Sequence, residues 1–319
     1  MKKVLRLAGG LLLVVVVAVA GFVAFVAARG VPTYDVPTLA PVTVARTDAE
    51  LVRGQKIAAM LCVQCHSEPG KPLRGKLLAD LPAEFGEIWS SNITQDNVHG
   101  VGAWTDAEII HLLRTGVRRD GRYAVIMPQF ANMADADIHA VVAWLRSGDL
   151  GVQPDPTPTH VNTYNFLVKL LTNTAMKPLP APTTPILLPD TTDRIAYGRY
   201  LADGLIGCYA CHSADFKTMN PLHPEQSGGY YGGGNPMLNL QRQVIVSSNL
   251  TPDAETGLAA HYSEASFVRA VRFGQAPDGR PLRYPMIPHA GLTDSEVKAI
   301  YAYLQTVPAI KNAVARTDY

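Results

Sequence analysis

The chain has 319 residues, with 28 lysines and arginines against 27 aspartates and glutamates, so its formal net charge is +1. This balance gives no basic field of the kind that attracts nucleic acid, and we expect no nucleic-acid partner. The length predicts about two domains. Charged residues make up only 17% of the chain, in part because the first predicted element contains none.

This first element is an apolar segment, residues 7–28, with basic residues on both sides: Lys2, Lys3 and Arg6 before it and Arg29 after it. A helix of this length spans about 33 Å, enough to cross the hydrocarbon core of a bilayer. The basic start predicts a cytoplasmic N-terminus, with the rest of the chain on the other side. A cleaved signal peptide is the alternative, but its apolar part is usually only about 7–15 residues long. We therefore expect a retained single-pass anchor in the inner membrane.

Two pentapeptides of the form C-x-x-C-H contain all four cysteines of the chain. The first supplies Cys62, Cys65 and His66, and the second supplies Cys208, Cys211 and His212. This spacing is typical of covalent haem c attachment, in which both thiols bond to the vinyl groups of one porphyrin. The histidine then binds the iron as an axial ligand, and methionine can bind on the opposite side. We therefore predict two covalently bound haem c groups, each with one iron.

Three other uses of paired cysteines fit the sequence less well. A zinc site made of two C-x-x-C pairs keeps the pairs about 15–20 residues apart, whereas the histidines of the two motifs here are 146 residues apart. A thioredoxin-like motif belongs to a βαβ unit and does not require the following histidine. A disulfide framework is typical of short secreted chains. Haem c is attached on the outer side of the bacterial membrane, so the predicted export agrees with the haem interpretation.

The rest of the chain repeats itself, which indicates two copies of one structural unit. The string S-S-N-I-T at Ser90–Thr94 returns as S-S-N-L-T at Ser247–Thr251, and D-G-R at Asp120–Arg122 returns at Asp278–Arg280. These blocks are 157 and 158 residues apart. The second copy therefore has 11 additional residues between His212 and Asn249. A glycine-rich segment in that interval, residues 228–234, predicts a loop.

Each copy predicts three helices and no strand of any length. Two capping boxes are predicted, at Thr47–Glu50 and at Thr293–Glu296. The first helix of the second copy begins at Thr192–Asp193. The middle helices run from Thr105 to Gly116 and from Ser263 to Gly274. The last helices, which begin near Asp135 and Asp294, each have an apolar stripe at helical spacing. Between the copies, a segment rich in proline and threonine predicts a semi-rigid linker. An apolar run within it, residues 166–171, indicates either a small helix packed on a domain or a contact with the membrane surface.

The order of helix, C-x-x-C-H motif, loop, helix, methionine and C-terminal helix resembles the class I cytochrome c domain, twice. The strings at Asn92–Thr94 and Asn249–Asp253, each followed by glycine, an aromatic residue, a helix and D-G-R, are similar to those in the cytochrome c subunits of membrane-bound alcohol and gluconate dehydrogenases. The resemblance implies an all-α fold with an N-terminal transmembrane helix followed by two class I cytochrome c domains. The expected units are an anchor at 1–29, a linker at 30–45, cytochrome c domain 1 at 46–150, a linker at 151–190, cytochrome c domain 2 at 191–308 and a tail at 309–319.

The resemblance places the sixth iron ligand of each haem between D-G-R and the last helix. Met127 and Met286 are there, each eight residues before the start of that helix. Methionine more often fills a core, but among the eight methionines these two alone superimpose in the repeat. They are therefore the predicted iron ligands, and His289 is the rival ligand in the second copy.

Other residues near the motifs have two interpretations from sequence alone. Asn92, Thr94, Asn249 and Thr251 either bind haem propionates or shape a turn, and Trp104 and Tyr262 either border the haem or fill the core. Arg122 and Arg280 are expected as solvated charges of a turn, with propionate pairing as the alternative.

These residues predict an electron carrier rather than an enzyme. The haem domains would lie in the periplasm and carry electrons between a membrane respiratory or dehydrogenase complex and a downstream acceptor. The expected partners are the membrane and redox proteins: a dehydrogenase, a quinol-oxidising complex, an oxidase or a soluble cytochrome. The alternative is a dihaem enzyme of the peroxidase or thiosulfate-oxidising type, which would need an iron with an open or unusual coordination position.

Overall fold

The computed structural model describes residues 1–314, so the last five residues of the predicted tail lie outside it. Its helices are α1 (Lys2–Arg29), α2 (Asp48–Leu61), α3 (Val63–His66), α4 (Asp106–Thr115), α5 (Asp135–Leu145), α6 (Phe166–Thr174), α7 (Arg194–Arg199), α8 (Cys208–His212), α9 (Leu258–His261), α10 (Glu264–Phe273) and α11 (Asp294–Leu304). The strands are short: β1 (Gly86–Glu87) pairs antiparallel with β2 (Thr163–Tyr164), and β3 (Pro236–Leu238) pairs antiparallel with β4 (Val244–Val246). The described chain is therefore mostly helical, as predicted.

In each half of the chain, the first helix packs across the last helix at a glycine. A Cβ atom added to Gly54 in α2 would lie 1.9 Å from the carbonyl oxygen of Ala140 in α5. In the second half, a Cβ atom added to Gly198 in α7 would lie 2.0 Å from the carbonyl oxygen of Ala299 in α11. Only glycine permits this approach of two backbones. The two helix pairs are thus built in the same way.

The helix boundaries follow from their capping residues. Thr47 accepts a hydrogen bond from the backbone of Glu50, whose side chain returns the bond, and Thr293 and Glu296 repeat this arrangement. Both predicted capping boxes are therefore confirmed. The α4 and α10 helices end at Gly116 and Gly274, both in the left-handed conformation that glycine adopts at low cost.

Helix α1 is the one helix within residues 1–314 that is long and apolar enough to cross a membrane. Near its C-terminal end, α1 packs against α6, and Val26 is fully buried. The side-chain amide of Asn173 in α6 donates to the carbonyl oxygen of Gly30 at 2.8 Å. The apolar run between the two halves is therefore a helix that packs at the end of α1.

The segment between the halves is an ordered layer on the first half rather than a free spacer. The amide of Asn92 donates to the carbonyl oxygens of Asp155 and Thr157, both at 2.9 Å. The ring of His160 stacks on Trp89 with centroids 3.9 Å apart. The amide bonds satisfy two backbone carbonyls of the segment that the sequence predicts to be a semi-rigid linker.

The glycine-rich segment of the second half is a loop, as the sequence predicts, but two of its side chains lie in the core. Tyr230 and Tyr231 within it are buried, with 8% and 0% of their surface exposed. The backbone N–H of Leu250 bonds to the carbonyl of Tyr231, as that of Ile93 bonds to Leu73 in the first half. Tyr231 therefore occupies the core position of Leu73, and the additional residues form the turns between Ser213 and Gly228.

The two halves are in direct contact. Lys56 of α2 forms a salt bridge with Glu296 of α11 at 2.6 Å. The buried carboxylate of Asp137 accepts from Tyr200 of the second half and pairs with Arg53 of its own half. Apolar residues from both halves belong to one continuous buried core.

Candidate functional site

Both C-x-x-C-H motifs form short helices at equivalent places in the two halves. In the first, Cys62 caps the C-terminus of α2 and His66 is the last residue of α3. In the second, Cys208 begins α8 and His212 ends it. All four cysteines are half-buried and none forms a disulfide. Each motif therefore presents two thiols and one imidazole from a single turn of helix.

The two predicted proximal histidines make the same second contact. The Nδ1 atom of His66 lies 2.7 Å from the carbonyl oxygen of Ser91, and that of His212 lies 2.9 Å from the carbonyl oxygen of Ser248. A carbonyl oxygen only accepts hydrogen bonds, so Nδ1 carries the proton and Nε2 keeps its lone pair. Desolvation lowers the pKa of both rings, which favours the neutral form that binds a metal. This contact orients a metal-binding histidine and fixes its tautomer.

A glycine holds each histidine segment against the carbonyl that it contacts. The N–H of Gly75 donates to the backbone of His66, and that of Gly233 donates to the backbone of His212, both at 2.8 Å. A Cβ atom at Gly75 would lie 2.3 Å from the carbonyl oxygen of Ser90. Both glycines have positive φ, 88° and 69°. The segment that contains the two serines can approach the histidine closely because the glycines have no side chain.

The repeated S-S-N-[IL]-T strings shape this turn rather than an anion site. The side-chain oxygen of Asn92 accepts from the backbone N–H and the hydroxyl of Thr94, at 2.9 and 2.7 Å. Asn249 accepts from Thr251 at the same two distances. All four residues are buried. The turn interpretation is therefore the correct one, and the turn brings the serine carbonyl to the histidine.

The predicted methionine ligands occupy equivalent turns. The N–H of Met127 donates to Ala124 at 3.1 Å, and that of Met286 donates to Arg283 at 3.0 Å. Three residues further on, each chain is tied to its middle helix through a backbone bond: Phe130 to Leu113, and His289 to Val271. An ion pair joins the middle helix to the start of the last helix in both halves: Arg114 with Asp135, and Arg272 with Asp294. The methionine role itself stays a prediction.

Arg118 is a residue that the sequence analysis missed. Its Nη1 donates to the hydroxyl of Ser91 at 2.7 Å, beside the carbonyl that orients His66. Its Nε is buried without a hydrogen-bond partner among the described residues, and the nearest carboxylate, that of Asp120, is 3.9 Å away. A half-buried cation whose Nε has no partner can bind an anion. In contrast, the exposed Arg122 pairs with Asp120 of its own turn at 2.6 Å, as expected of a turn charge.

These side chains fit a haem c group in both halves. Each half offers two thiols at the attachment spacing and a neutral imidazole with a free Nε2. The first half adds an unsatisfied guanidinium that suits a propionate. Trp104 fills the core, with the guanidinium groups of Arg118 and Arg119 within 5.5 Å of its ring centre.

Comparisons with known proteins agree with this assignment. Residues 51–149 match the cytochrome c family. The chain is 27% identical to the cytochrome c subunit of the alcohol dehydrogenase (quinone) of Gluconobacter oxydans over 82% of its own length and 56% of the relative. It is 28% identical to the gluconate 2-dehydrogenase cytochrome c subunit of Pantoea cypripedii over 82% of its own length and 60% of the relative. It is 27% identical to a diheme cytochrome c-type protein of Cereibacter sphaeroides over 82% of its own length and 87% of the relative.

The chain thus spans a little more than half the length of the dehydrogenase subunits that it resembles. The predicted resemblance to such subunits is confirmed. These relatives are cytochrome c subunits that transfer electrons rather than catalytic subunits. The electron-carrier prediction agrees with the class of these relatives.

Proposed function

Since residues 51–149 form a cytochrome c domain, we propose that the whole chain is a membrane-anchored dihaem cytochrome c with a second such domain at residues 191–308. The observation that carries the proposal is the repeated bond from a proximal histidine to a serine carbonyl. It is made by His66 with Ser91 and by His212 with Ser248. The diheme relative from Cereibacter sphaeroides supports two haems.

The residues of this chain have defined tasks in electron transfer. Each bound haem supplies one Fe(III)/Fe(II) couple. The four cysteines would hold the two porphyrins, and His66 and His212 would supply Nε2 to the irons. Met127 and Met286 would supply the second protein ligand of each iron. Arg118 would pair with a propionate of the first haem.

The interface between the halves supports electron exchange between the two haems. Tyr284, two residues before Met286, donates a hydrogen bond to the carboxylate of Asp80 in the first half. Lys56, in the helix that leads into the first haem motif, is bound to Glu296. Such contacts hold the two haem sites in one fixed geometry.

Helix α1 anchors the protein in the inner membrane, with the haem domains in the periplasm. The basic residues at the start of α1, which are Lys2, Lys3 and Arg6, support this orientation. The partner that supplies electrons is a membrane dehydrogenase of the kind that the relatives serve. The carrier then passes the electrons to an oxidase or to another cytochrome.

Mass spectrometry of the protein purified from membranes tests the proposal. We expect a mass increase of two haems that survives acid–acetone extraction. The double variant Cys62→Ala/Cys65→Ala and its counterpart Cys208→Ala/Cys211→Ala should each retain one haem. A wild-type chain with one haem or none would contradict the proposal.

A further inference from the structure

The second half contains a buried carboxylate with an unusual set of donors. Asp203 is 9% exposed and accepts hydrogen bonds from Tyr230 at 2.6 Å, Tyr231 at 2.7 Å and Tyr303 at 3.0 Å. The guanidinium of Arg199 lies 3.7 Å away. Desolvation raises the pKa of the carboxyl group, whereas the three phenols and the arginine lower it. Both protonation states are thus partly stabilised.

A local change of helix geometry brings this carboxylate into the core. In the first half, Cys62 follows the crossing glycine Gly54 by eight positions, but in the second half Cys208 follows Gly198 by ten. The additional residues are taken up by a π-helical segment, Tyr200–Leu205, which follows α7. Such π-helical turns are rare in proteins, and those that occur are often found at functional sites.

The phenols around the carboxylate are also specific to the second half. Tyr231 takes the place of Leu73, and Tyr303 takes the place of Trp144 in the repeat. All four residues are buried. In the first half Leu73 and Trp144 fill these two places with a single polar atom, the indole nitrogen, so packing alone does not require the two phenols. The polar residues and the π-helical segment occur together, which indicates a common role.

The carboxylate lies in the segment that leads into the second haem motif, five residues before Cys208, and its phenol partners border a surface cavity. Desolvation and the charge of Asp203 together raise the pKa of the Cys208 thiol to about 12, so this charge acts on the haem-attachment residue. On the other side, a surface cavity of about 340 Å³ is lined by Tyr230 and Tyr303. The titratable or charged groups around the carboxylate are Arg199 with its partner Glu225, the phenols of Tyr209, Tyr230, Tyr231 and Tyr303, and the thiol of Cys208. A proton can therefore pass between solvent and the carboxylate through two phenol hydroxyls.

We propose that the cluster of Asp203 with Tyr230, Tyr231 and Tyr303 takes up a proton when the second haem is reduced. This inference rests on the proposed dihaem function. The electron comes from the reduced dehydrogenase partner, and the proton comes from water through Tyr230 or Tyr303. An electron added to the iron makes the nearby negative charge less favourable, so the affinity of the carboxylate for a proton rises. On oxidation, the electron leaves to the acceptor and the proton returns to water.

Redox titration of the full-length haem-loaded protein in detergent, over a series of pH values, tests this coupling. We expect two midpoint potentials, of which one falls as pH rises. Full coupling of one proton to one electron gives 59 mV for each tenfold fall in proton concentration. Asp203→Asn should raise this midpoint, remove its pH dependence and leave the other midpoint unchanged. An unchanged pH dependence in Asp203→Asn would overturn the proposal.

Two further variants separate coupling from structural damage. Tyr230→Phe removes one donor to the carboxylate, so the pH range of the fall should move to higher pH. Asp215→Asn removes a carboxylate three residues after His212 that is 37% exposed and screened by water, and it should leave both midpoints unchanged. If Tyr230→Phe leaves the pH range unchanged, the coupling is refuted. A wild-type protein with fewer than two midpoints would instead contradict the dihaem function itself.

Discussion

The two glycine crossings make a strong prediction about stability. In Gly54→Ala, the new methyl group would lie 1.9 Å from the carbonyl oxygen of Ala140, about 1.5 Å closer than an ordinary contact. The two helices must separate, and overpacking of this kind costs about 1–3 kcal/mol or more. Alanine gains up to about 1 kcal/mol in helix propensity, so we expect a net loss of about 2 kcal/mol. Gly198→Ala should behave in the same way, because its contact with Ala299 is 2.0 Å.

Thermal unfolding of the haem-loaded protein, followed by far-ultraviolet circular dichroism, measures this loss. For a domain of about 100 residues, 1 kcal/mol lowers Tm by about 4–8 °C, so a fall of about 8–16 °C is expected. Gly148→Ala is the matched control, because no atom lies within 4 Å of its added Cβ. If Gly54→Ala and Gly148→Ala unfold at the same temperature, the helices do not cross as described.

Three further predictions concern the ligands, the histidine turn and the anchor. Met127→His and Met286→His should each remove their share of the long-wavelength Fe–S absorption band and lower one midpoint potential; unchanged spectra would place the ligands elsewhere. Asn249→Ala leaves the buried Thr251 hydroxyl with fewer partners and should cost about 1–3 kcal/mol in a thermal melt, whereas an unaltered Tm would show that the turn is held by other bonds. The full-length chain should remain in membranes after carbonate washing, and a chain without residues 1–29, exported by a cleavable signal, should be soluble and still haem-loaded.

The elements that the sequence predicts well are those with local physical causes. The capping box at Thr293 and the stop at Gly274 depend only on neighbouring residues, and both occur where predicted. The haem motifs depend on a fixed spacing of cysteine and histidine within one helical turn. The equivalence of the two histidines could also be predicted, because each stands in an identical motif.

The features that the sequence did not predict depend on long-range contacts. Tyr231 lies in a glycine-rich segment whose composition predicts a loop, yet it is buried because the N–H of Leu250 donates to its carbonyl and Asp203 accepts a hydrogen bond from its hydroxyl. The role of Asn92 could not be separated from propionate binding until its contact with Thr94 was known. A comparison of the two halves could have indicated the carboxylate cluster, because the acidic residue Asp203 lies in a segment of the second half that is two residues longer than its counterpart in the first half.

Charge differs between the two haem sites, and this difference predicts the order of their potentials. The first site has the half-buried cation Arg118 beside the carbonyl that orients His66, and Asp120 at 3.9 Å compensates its charge only in part. The second site has the buried anion Asp203, which acts on Cys208. A positive charge favours Fe(II) and a negative charge favours Fe(III), so the first haem should have the higher potential. Electrons would then run from the second haem to the first.

In redox titrations, Arg118→Gln should lower the higher midpoint potential and bring the two midpoint potentials closer together. A fall of the lower midpoint potential instead would reverse the assigned direction of electron flow.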